Sequence, residues 1–85
     1  MNKTKQKILE IAINPVTIKD IRKATGLNYP NLSKHIKELK KSGLLFAVAK
    51  EGKFIVIQTN KYSVIALLNK EIEQRKEIIK RLEEK

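Results

Sequence analysis

The stretch that decides the fold is TIKDIRKATGLNYPNLSKHIKELKKSGLL, residues 17–45. Thr17 can cap a short helix, since Asp20 follows it by three residues, the spacing that a capping box requires. Gly26 can adopt the left-handed conformation that ends many helices, so we expect this helix to stop at about Thr25. The side chains expected to face the core from this helix are Ile18, Ile21 and Ala24.

A second helix follows this glycine and is expected over residues 28–42. Asn28 can cap it, and Pro30 is tolerated in its first turn because the backbone N–H groups there have no intrahelical acceptor. Ser42-Gly43 ends the pattern. The buried stripe is predicted to consist of Leu32, Ile36 and Leu39. Two helices joined by a short turn that contains glycine form a helix-turn-helix.

The segments on either side extend this unit. A helix is predicted over residues 3–13, and Asn14-Pro15 ends it because the residue before proline avoids the α region. Its inward side chains are expected to be Ile8, Leu9, Ala12 and Ile13. Residues 44–59 contain two β-prone runs around Glu51-Gly52, which predicts a hairpin, and residues 45–59 of that hairpin would form a wing.

The last segment, residues 61–85, returns to helical periodicity with a heptad-like seam. The seam residues are Ile65, Leu68, Ile72, Arg75, Ile79 and Leu82. The first two turns, with Leu67 and Leu68, are expected to pack on the domain. Little core remains to cover the distal part, so we expect a homodimeric coiled coil; a helix packed back on its own domain is the alternative. The spacing fits both parallel and antiparallel pairs, and Arg75 would fix the register at a cost in stability.

These elements predict a fold that is mainly α with a small β-hairpin. It consists of a winged helix-turn-helix DNA-binding domain over residues 1–60 and a long C-terminal dimerisation helix over residues 61–85. The charge agrees with this division. The 85 residues carry 19 Lys and Arg against 9 Asp and Glu, a net charge of +10. The DNA-binding domain holds 12 of these basic and 4 of these acidic side chains. Such an excess favours a polyanionic partner, nucleic acid first and an acidic membrane surface second.

Several function classes are excluded or disfavoured by composition. The chain has no cysteine, which excludes disulfides, thiolate metal sites and cysteine nucleophiles. No apolar run of about 18 residues predicts a membrane span, and the start lacks the features of a signal peptide, so a cytoplasmic location is expected. His35 is interpreted as a packed or backbone-bonded histidine and Asp20 as a cap. No catalytic or metal-binding spacing is found, so we expect neither an enzyme nor a cofactor.

The outer face of the helix expected over residues 28–42 carries the candidate DNA-binding residues. Lys34, Lys37 and Lys41 lie opposite the buried stripe, and Tyr29 and Asn31 flank its N-terminal end. Asparagine can pair with adenine, lysine can reach guanine or phosphate, and the N-terminal part of a recognition helix meets base edges. The predicted set, with the wing tip included, is Asn28, Tyr29, Pro30, Asn31, Ser33, Lys34, Lys37, Lys41, Lys50 and Lys53. A solvated amphipathic helix is the alternative.

Residues 17–45 resemble the winged helix-turn-helix of the ArsR and MarR-type prokaryotic transcription regulators. The resemblance is carried by Ser33, His35, Ile36 and Leu39, followed by Gly43-Leu44-Leu45. It implies double-stranded DNA binding through the third helix of the chain and the wing. It also implies an archaeal source. Abundant isoleucine, lysine and glutamate are typical of hyperthermophile proteins, and AT-rich coding gives the same leaning. Metal-sensing ArsR members use cysteine or histidine clusters and MarR members have longer flanking helices, so no effector or small-molecule site is expected.

Three functions fit this sequence. The first is a sequence-specific dimeric transcription regulator that acts as a repressor by covering promoter DNA. The second is an architectural chromatin protein that binds DNA with little sequence preference, because small archaeal chromatin proteins also join a winged helix to a coiled-coil tail. The third is a protein-interaction module, which the excess positive charge disfavours. The polar and aromatic residues Asn28, Tyr29 and Asn31 favour the first, because a chromatin protein would be served by lysines alone.

Overall fold

Four helices and three strands follow one another along residues 2–84, the part of the chain that this computed structural model describes. In chain order they are α1 (Lys3–Ile11), β1 (Val16–Thr17), α2 (Ile18–Thr25), α3 (Tyr29–Lys41), β2 (Leu45–Glu51), β3 (Phe54–Thr59) and α4 (Lys61–Glu83). The predicted winged helix-turn-helix with a long C-terminal helix is confirmed. Residues 1 and 85, which open and close the two predicted segments, lie outside the described residues.

Each helix begins at a side chain that caps it. Asn2 accepts a hydrogen bond from the Thr4 N–H at 2.7 Å, and Asn28 and Asn60 cap α3 and α4 in the same way. At α2 the predicted capping box is confirmed, with the Thr17 hydroxyl and the Asp20 carboxylate each accepting a backbone N–H. A cap of this kind contributes about 1 kcal/mol to helix stability. The starts of all four helices are therefore encoded locally.

The core joins one face of each of the first three helices to the sheet. Its buried members are Ile8, Leu9, Ala12, Ile21, Leu32, Ile36, Leu39, Leu44, Leu45 and Ile57. Two predicted core residues are wrong. Ile13 is 61% exposed because α1 ends at Ile11, so the residue leaves the helical face on which it was counted. Ala24 is exposed because the core contacts α2 along Ile18 and Ile21, and Ala24 lies to the other side of Ile21 on the helix.

The sheet has the strand order β1-β3-β2, and both pairings are antiparallel. The two-residue strand β1 was not predicted; it pairs Val16 with Ile57 and so attaches the start of α2 to the wing. The hairpin turn lies one residue later than predicted, since Glu51 pairs with Phe54 across Gly52-Lys53. Gly52 supplies the positive φ of 61° that this turn needs.

A β-bulge interrupts the pairing of β2 with β3. Ala47 pairs with Ile57 and Ala49 with Val56, so Val48 is the extra residue on β2. A bulge of this kind bends a strand and increases its local twist. The distal part of the wing is therefore turned relative to its base, which continues the core at Leu45.

The end of β3 connects three parts of the molecule. The Thr59 N–H donates to the Ala12 carbonyl at 2.8 Å, and the Thr59 hydroxyl donates to the Leu9 carbonyl at 2.6 Å. The Asn60 N–H donates to the Leu44 carbonyl at 2.8 Å. The two residues that precede α4 are thus fixed, Thr59 to the end of α1 and Asn60 to the segment that follows α3.

Helix α4 extends away from this body. Its 23 residues span about 35 Å at 1.5 Å per residue. Val64 and Leu67 are partly buried against the core, as predicted for Leu67, whereas Leu68 is 42% exposed. The Cα atoms extend over 58 Å in the longest direction. Within residues 2–84, no helix is both long enough and apolar enough to cross a membrane.

Candidate nucleic-acid interface

The outer face of α3 is open to solvent and strongly basic. Leu32, Ile36 and Leu39 are buried, which fixes the rotation of the helix and turns Lys34 and Lys37 outward. The other exposed members of the predicted set on this helix and its cap are Asn28, Tyr29, Pro30, Asn31 and Lys41. Ser33 is half-buried at the edge of the face. The helix can therefore present a polar and aromatic end followed by a row of lysines.

The two asparagines at the start of α3 differ in what they have available for a ligand. The Asn28 Oδ1 accepts the Asn31 N–H at 3.0 Å as the helix cap. Bidentate pairing with adenine uses both the oxygen and the nitrogen of an asparagine amide. Asn28 would have to share its oxygen between the two roles. The exposed side chain of Asn31 makes no hydrogen bond within residues 2–84, so both of its groups are available.

A cleft of about 450 Å³ lies between α2, the start of α3 and the wing. Its lining residues are Ile18, Lys19, Arg22, Tyr29, Lys53, Phe54 and Ile55. Tyr29 and Lys53, both of the predicted set, line this cleft, and the Lys53 Nζ lies 5.7 Å from the centroid of the Phe54 ring. This distance allows a cation–π interaction. The start of α3 and the wing therefore meet around one cleft that carries three basic side chains.

Sequence reasoning missed Lys19 and Arg22 as candidates. The charge excess of α2 could have indicated them, because IKDIRKAT contains three basic residues and one acidic residue. That acidic residue, Asp20, takes part in the capping box. The cap hydrogen bonds from the Thr17 N–H and then from its hydroxyl lower the pKa of Asp20, and the charges of Lys23 and Lys19 act in the same direction. The cleft does not include Lys50, which is exposed on β2.

The acidic residue of α3, Glu38, forms an ion pair with a lysine of α1 and not with a lysine of its own helix. Lys5 of α1 donates a hydrogen bond to Glu38. This hydrogen bond holds the pKa of Glu38 below its ordinary value, and the positive charges of Lys5 and Lys34 add to the effect. Glu38 is the one acidic residue between Tyr29 and Lys41. Its charge is compensated by α1, so α3 presents its lysines to a ligand with little internal compensation.

His35 is half-buried on the same helix, as expected for a packed histidine. Its Nδ1 is buried and has no hydrogen-bond partner within the described residues, so the backbone-bonded alternative is wrong for this atom. No group of three or more residues that could hold a metal ion occurs in residues 2–84.

The predicted dimer seam lies on the open side of α4. Its apolar members are exposed by between 42% and 69%, and Arg75 is exposed as well. Those members are Ile65, Leu68, Ile72, Ile79 and Leu82. Within residues 2–84, about half of the apolar surface of the seam therefore stays uncovered.

A family model for the MarR family matches residues 8–52, which is 45 of the 85 positions. The match runs from α1 through α2 and α3 to the hairpin turn. It therefore includes every predicted DNA-binding residue except Lys53. No curated protein gives a significant match.

Solved structures with a similar fold include a possible transcriptional regulatory protein from Mycobacterium bovis, as a fragment of residues 1–100. It is 22% identical with a TM-score of 0.69, over 87% of this chain and 81% of the other. An ArsR family transcriptional regulator is 24% identical with a TM-score of 0.68, over 88% and 77% of the two chains. A solution structure of the same Mycobacterium bovis fragment, described as a homodimeric winged helix-turn-helix DNA-binding domain, is 22% identical with a TM-score of 0.67, over 87% and 69%. At these identities the likeness shows the fold.

Proposed function

The chain belongs to the MarR family, and from that premise we propose that it is a dimeric transcription regulator that binds double-stranded DNA by sequence. Residues 1–60 would form its DNA-binding domain and residues 61–85 its dimerisation helix. The similar domain from Mycobacterium bovis is described as homodimeric and DNA-binding, which supports both parts of the proposal. A cytoplasmic location follows as a prediction.

The observation that carries this proposal is the open N-terminal end of α3. Tyr29 and Asn31 are exposed there, and Tyr29 shares a basic cleft with Lys53 of the wing. A recognition helix contacts base edges through its N-terminal residues, while neighbouring cations hold the phosphates. The same end of the helix thus combines groups that can read bases with groups that can hold the backbone.

Each part of the surface has a proposed role. Asn31 pairs with adenine, Tyr29 contacts a base or a thymine methyl group, and Lys34 binds guanine or phosphate. Asn28 has the narrower role of positioning Asn31, since its oxygen caps the helix. The remaining residues of the predicted set, which contact the backbone or line the surface, are Pro30, Ser33, Lys37, Lys41, Lys50 and Lys53. Lys19 and Arg22 join this phosphate-binding group because they line the cleft.

Two recognition helices related by a two-fold axis would read a palindromic site. The half-sites would be separated by about one turn of DNA, about 34 Å, or a multiple of it. Binding over a promoter would repress transcription by excluding the polymerase. We propose that this occurs without an effector ligand or a cofactor, and that the chain is not an enzyme.

An architectural chromatin protein is the second candidate. The net charge of +10 on 85 residues supports it, because sequence-independent binding depends on phosphate neutralisation. The two functions differ in what Asn31 and Tyr29 do. A regulator needs both residues for base contacts, whereas an architectural protein would bind random DNA equally well without them.

Selection from a random duplex pool, followed by sequencing, separates the two functions. At about 0.15 M salt, a regulator enriches one palindromic motif, and Asn31→Ala loses the preference for adenine at one position of each half-site. Asn69→Ala, which changes an exposed asparagine of α4, is the matched control and should enrich the wild-type motif. Tight binding with no enriched motif would reject the regulator and support the architectural function.

A further inference from the structure

An apolar groove runs between α1 and the first turns of α4. It has a volume of about 220 Å³. Its apolar lining consists of Leu9, Ile13, Val64, Ile65 and Leu68. Ile65 and Leu68 also belong to the seam of α4, so the groove lies at the N-terminal end of that seam. Ile13, the residue that was wrongly assigned to the core, is the most exposed of these apolar lining residues.

The C-terminal end of α4 carries exposed apolar side chains. Ile79 and Leu82 are 54% and 69% exposed, and they lie beyond the contacts of α4 with the core. Ile78 beside them is 58% exposed. One end of the helix therefore offers an open apolar groove, and the other end offers apolar side chains with no cover in the described chain.

The seam residues are placed symmetrically along α4. Their midpoint falls between residues 73 and 74. Ile65 and Leu82 are equally far from it, and so are Leu68 and Ile79, and Ile72 and Arg75. A helix that runs antiparallel to its own copy about this midpoint would match all six positions, with each of these pairs forming one layer across the interface.

Arg75 distinguishes this arrangement from a parallel pair. In a parallel, in-register coiled coil each seam residue faces its own copy, so two arginines would meet in one core layer. Like charges at close range repel, and the repulsion grows where water is excluded. In the antiparallel pair Arg75 faces Ile72 instead. Its aliphatic stem can cover that side chain while the guanidinium reaches solvent.

We propose that α4 pairs with α4 of a second copy in antiparallel orientation, and that the partner's Ile79 and Leu82 dock in the groove beside Ile13. This inference rests on the dimer of the proposed function and adds its orientation. The charge of the domains agrees with it, because residues 1–60 carry a net +8, from 12 basic and 4 acidic side chains. The antiparallel pair holds these two mutually repelling bodies at opposite ends.

The orientation also fixes the separation of the two DNA-binding domains. Lys61, where α4 begins, and its copy would lie at equal distances on opposite sides of the midpoint. The two starts of α4 would then be separated by slightly more than the length of the helix, about 38 Å along the pair. This value is close to the distance between successive major grooves on one side of DNA, about 34 Å. A parallel pair would instead place both domains side by side at one end.

Disulfide trapping tests the orientation directly, because the chain has no cysteine of its own. Ile65→Cys and Leu82→Cys variants are mixed, equilibrated and oxidised with oxidised glutathione, and the linked peptides are identified by mass spectrometry. The expected product links position 65 of one copy to position 82 of the other. In the antiparallel pair the two residues 65 lie about 26 Å apart, far beyond the about 7 Å that a disulfide can span between Cα atoms. Gln74→Cys, off the seam, is the control and should form no specific link.

The outcomes separate this inference from the proposal on which it rests. A dominant link between two copies of position 65 would overturn the antiparallel orientation and leave the dimer intact. Sedimentation of the unmodified chain as a monomer, at the protein concentration used for trapping, would overturn the orientation together with the dimer. In that case the selection on random duplexes still decides whether the chain reads DNA by sequence. Circular dichroism of each cysteine variant, compared with wild type, confirms that the helices are intact.

Discussion

Removing one lysine from α3 should change how DNA binding depends on salt. Each phosphate that a protein neutralises releases condensed counterions, so the logarithm of the binding constant falls linearly with the logarithm of the salt concentration. The slope counts phosphate contacts. Lys37 is exposed on α3, on the opposite side from Leu32, so we expect it to contact a phosphate rather than a base.

The magnitude follows from the cations on the proposed surface. Seven of them are candidates for each subunit: Lys19, Arg22, Lys34, Lys37, Lys41, Lys50 and Lys53. At about 0.9 per phosphate contact, seven contacts give a slope of about −6 per subunit and about −13 for a dimer. Lys37→Gln should make the dimer slope less steep by about 1.8, because each subunit loses one contact. Binding should weaken on every DNA sequence by a similar factor.

Fluorescence anisotropy with a labelled duplex, at salt concentrations from about 0.05 to 0.3 M, measures the slope. Lys70→Gln is the matched control, since it removes the same charge from an exposed position on α4 and should leave the slope unchanged. The same titrations on a second, unrelated duplex separate phosphate from base contacts. An unchanged slope for Lys37→Gln, or an equal change for Lys70→Gln, would refute the assignment of the phosphate-binding surface to α3.

Two further predictions concern the ion pair beside α3 and the seam. The pKa of Glu38 is lowered in the folded state by Lys5, so its contribution to stability is present above the pKa of the unfolded chain and is lost as the pH falls through the folded value. Glu38→Gln should lower the urea midpoint at pH 7, and its difference from wild type should shrink as the pH falls below about 4.3, the ordinary pKa of glutamate. A difference that does not vary with pH would contradict the ion-pair origin. Arg75→Leu should raise the stability of the dimer, because it replaces a charged seam residue with an apolar one. An unchanged dimer dissociation constant in sedimentation would place residue 75 outside the interface.

The parts of the fold that could be predicted are those encoded by neighbouring residues. The Thr17 and Asp20 capping box and the left-handed turn at Gly26, with φ of 70°, need only a few residues of sequence. Strand β1 could not be predicted in this way, because it is too short for a periodic pattern and depends on pairing with β3, which lies beyond α2, α3 and β2 in the chain. Ile13 was misassigned because periodicity does not reveal that α1 ends at Ile11.

The candidate site shows the same limit. The exposed lysines of α3 follow from its buried stripe, which the sequence displays directly. The cleft beside Tyr29 does not follow, because it depends on how α2 and the wing pack against the start of α3. For that reason Lys19 and Arg22 were overlooked although both are visible as charges in the sequence. The sequence likewise does not show that the Asn28 oxygen, a candidate for base pairing, already accepts the Asn31 N–H as the helix cap.

The connection between β3 and α4 bears on the choice between a regulator and an architectural protein. Asn60 caps α4, and its backbone N–H is bonded to Leu44, just beyond the end of α3. Thr59, one residue earlier, is bonded to the end of α1 through both its backbone and its side chain. These hydrogen bonds connect the start of the proposed dimerisation helix to α1 and to the segment after the proposed reading helix. A rigid connection of this kind holds two recognition helices at a set distance, which a protein that reads spaced half-sites requires. A protein that only neutralises phosphates could function with a loose one.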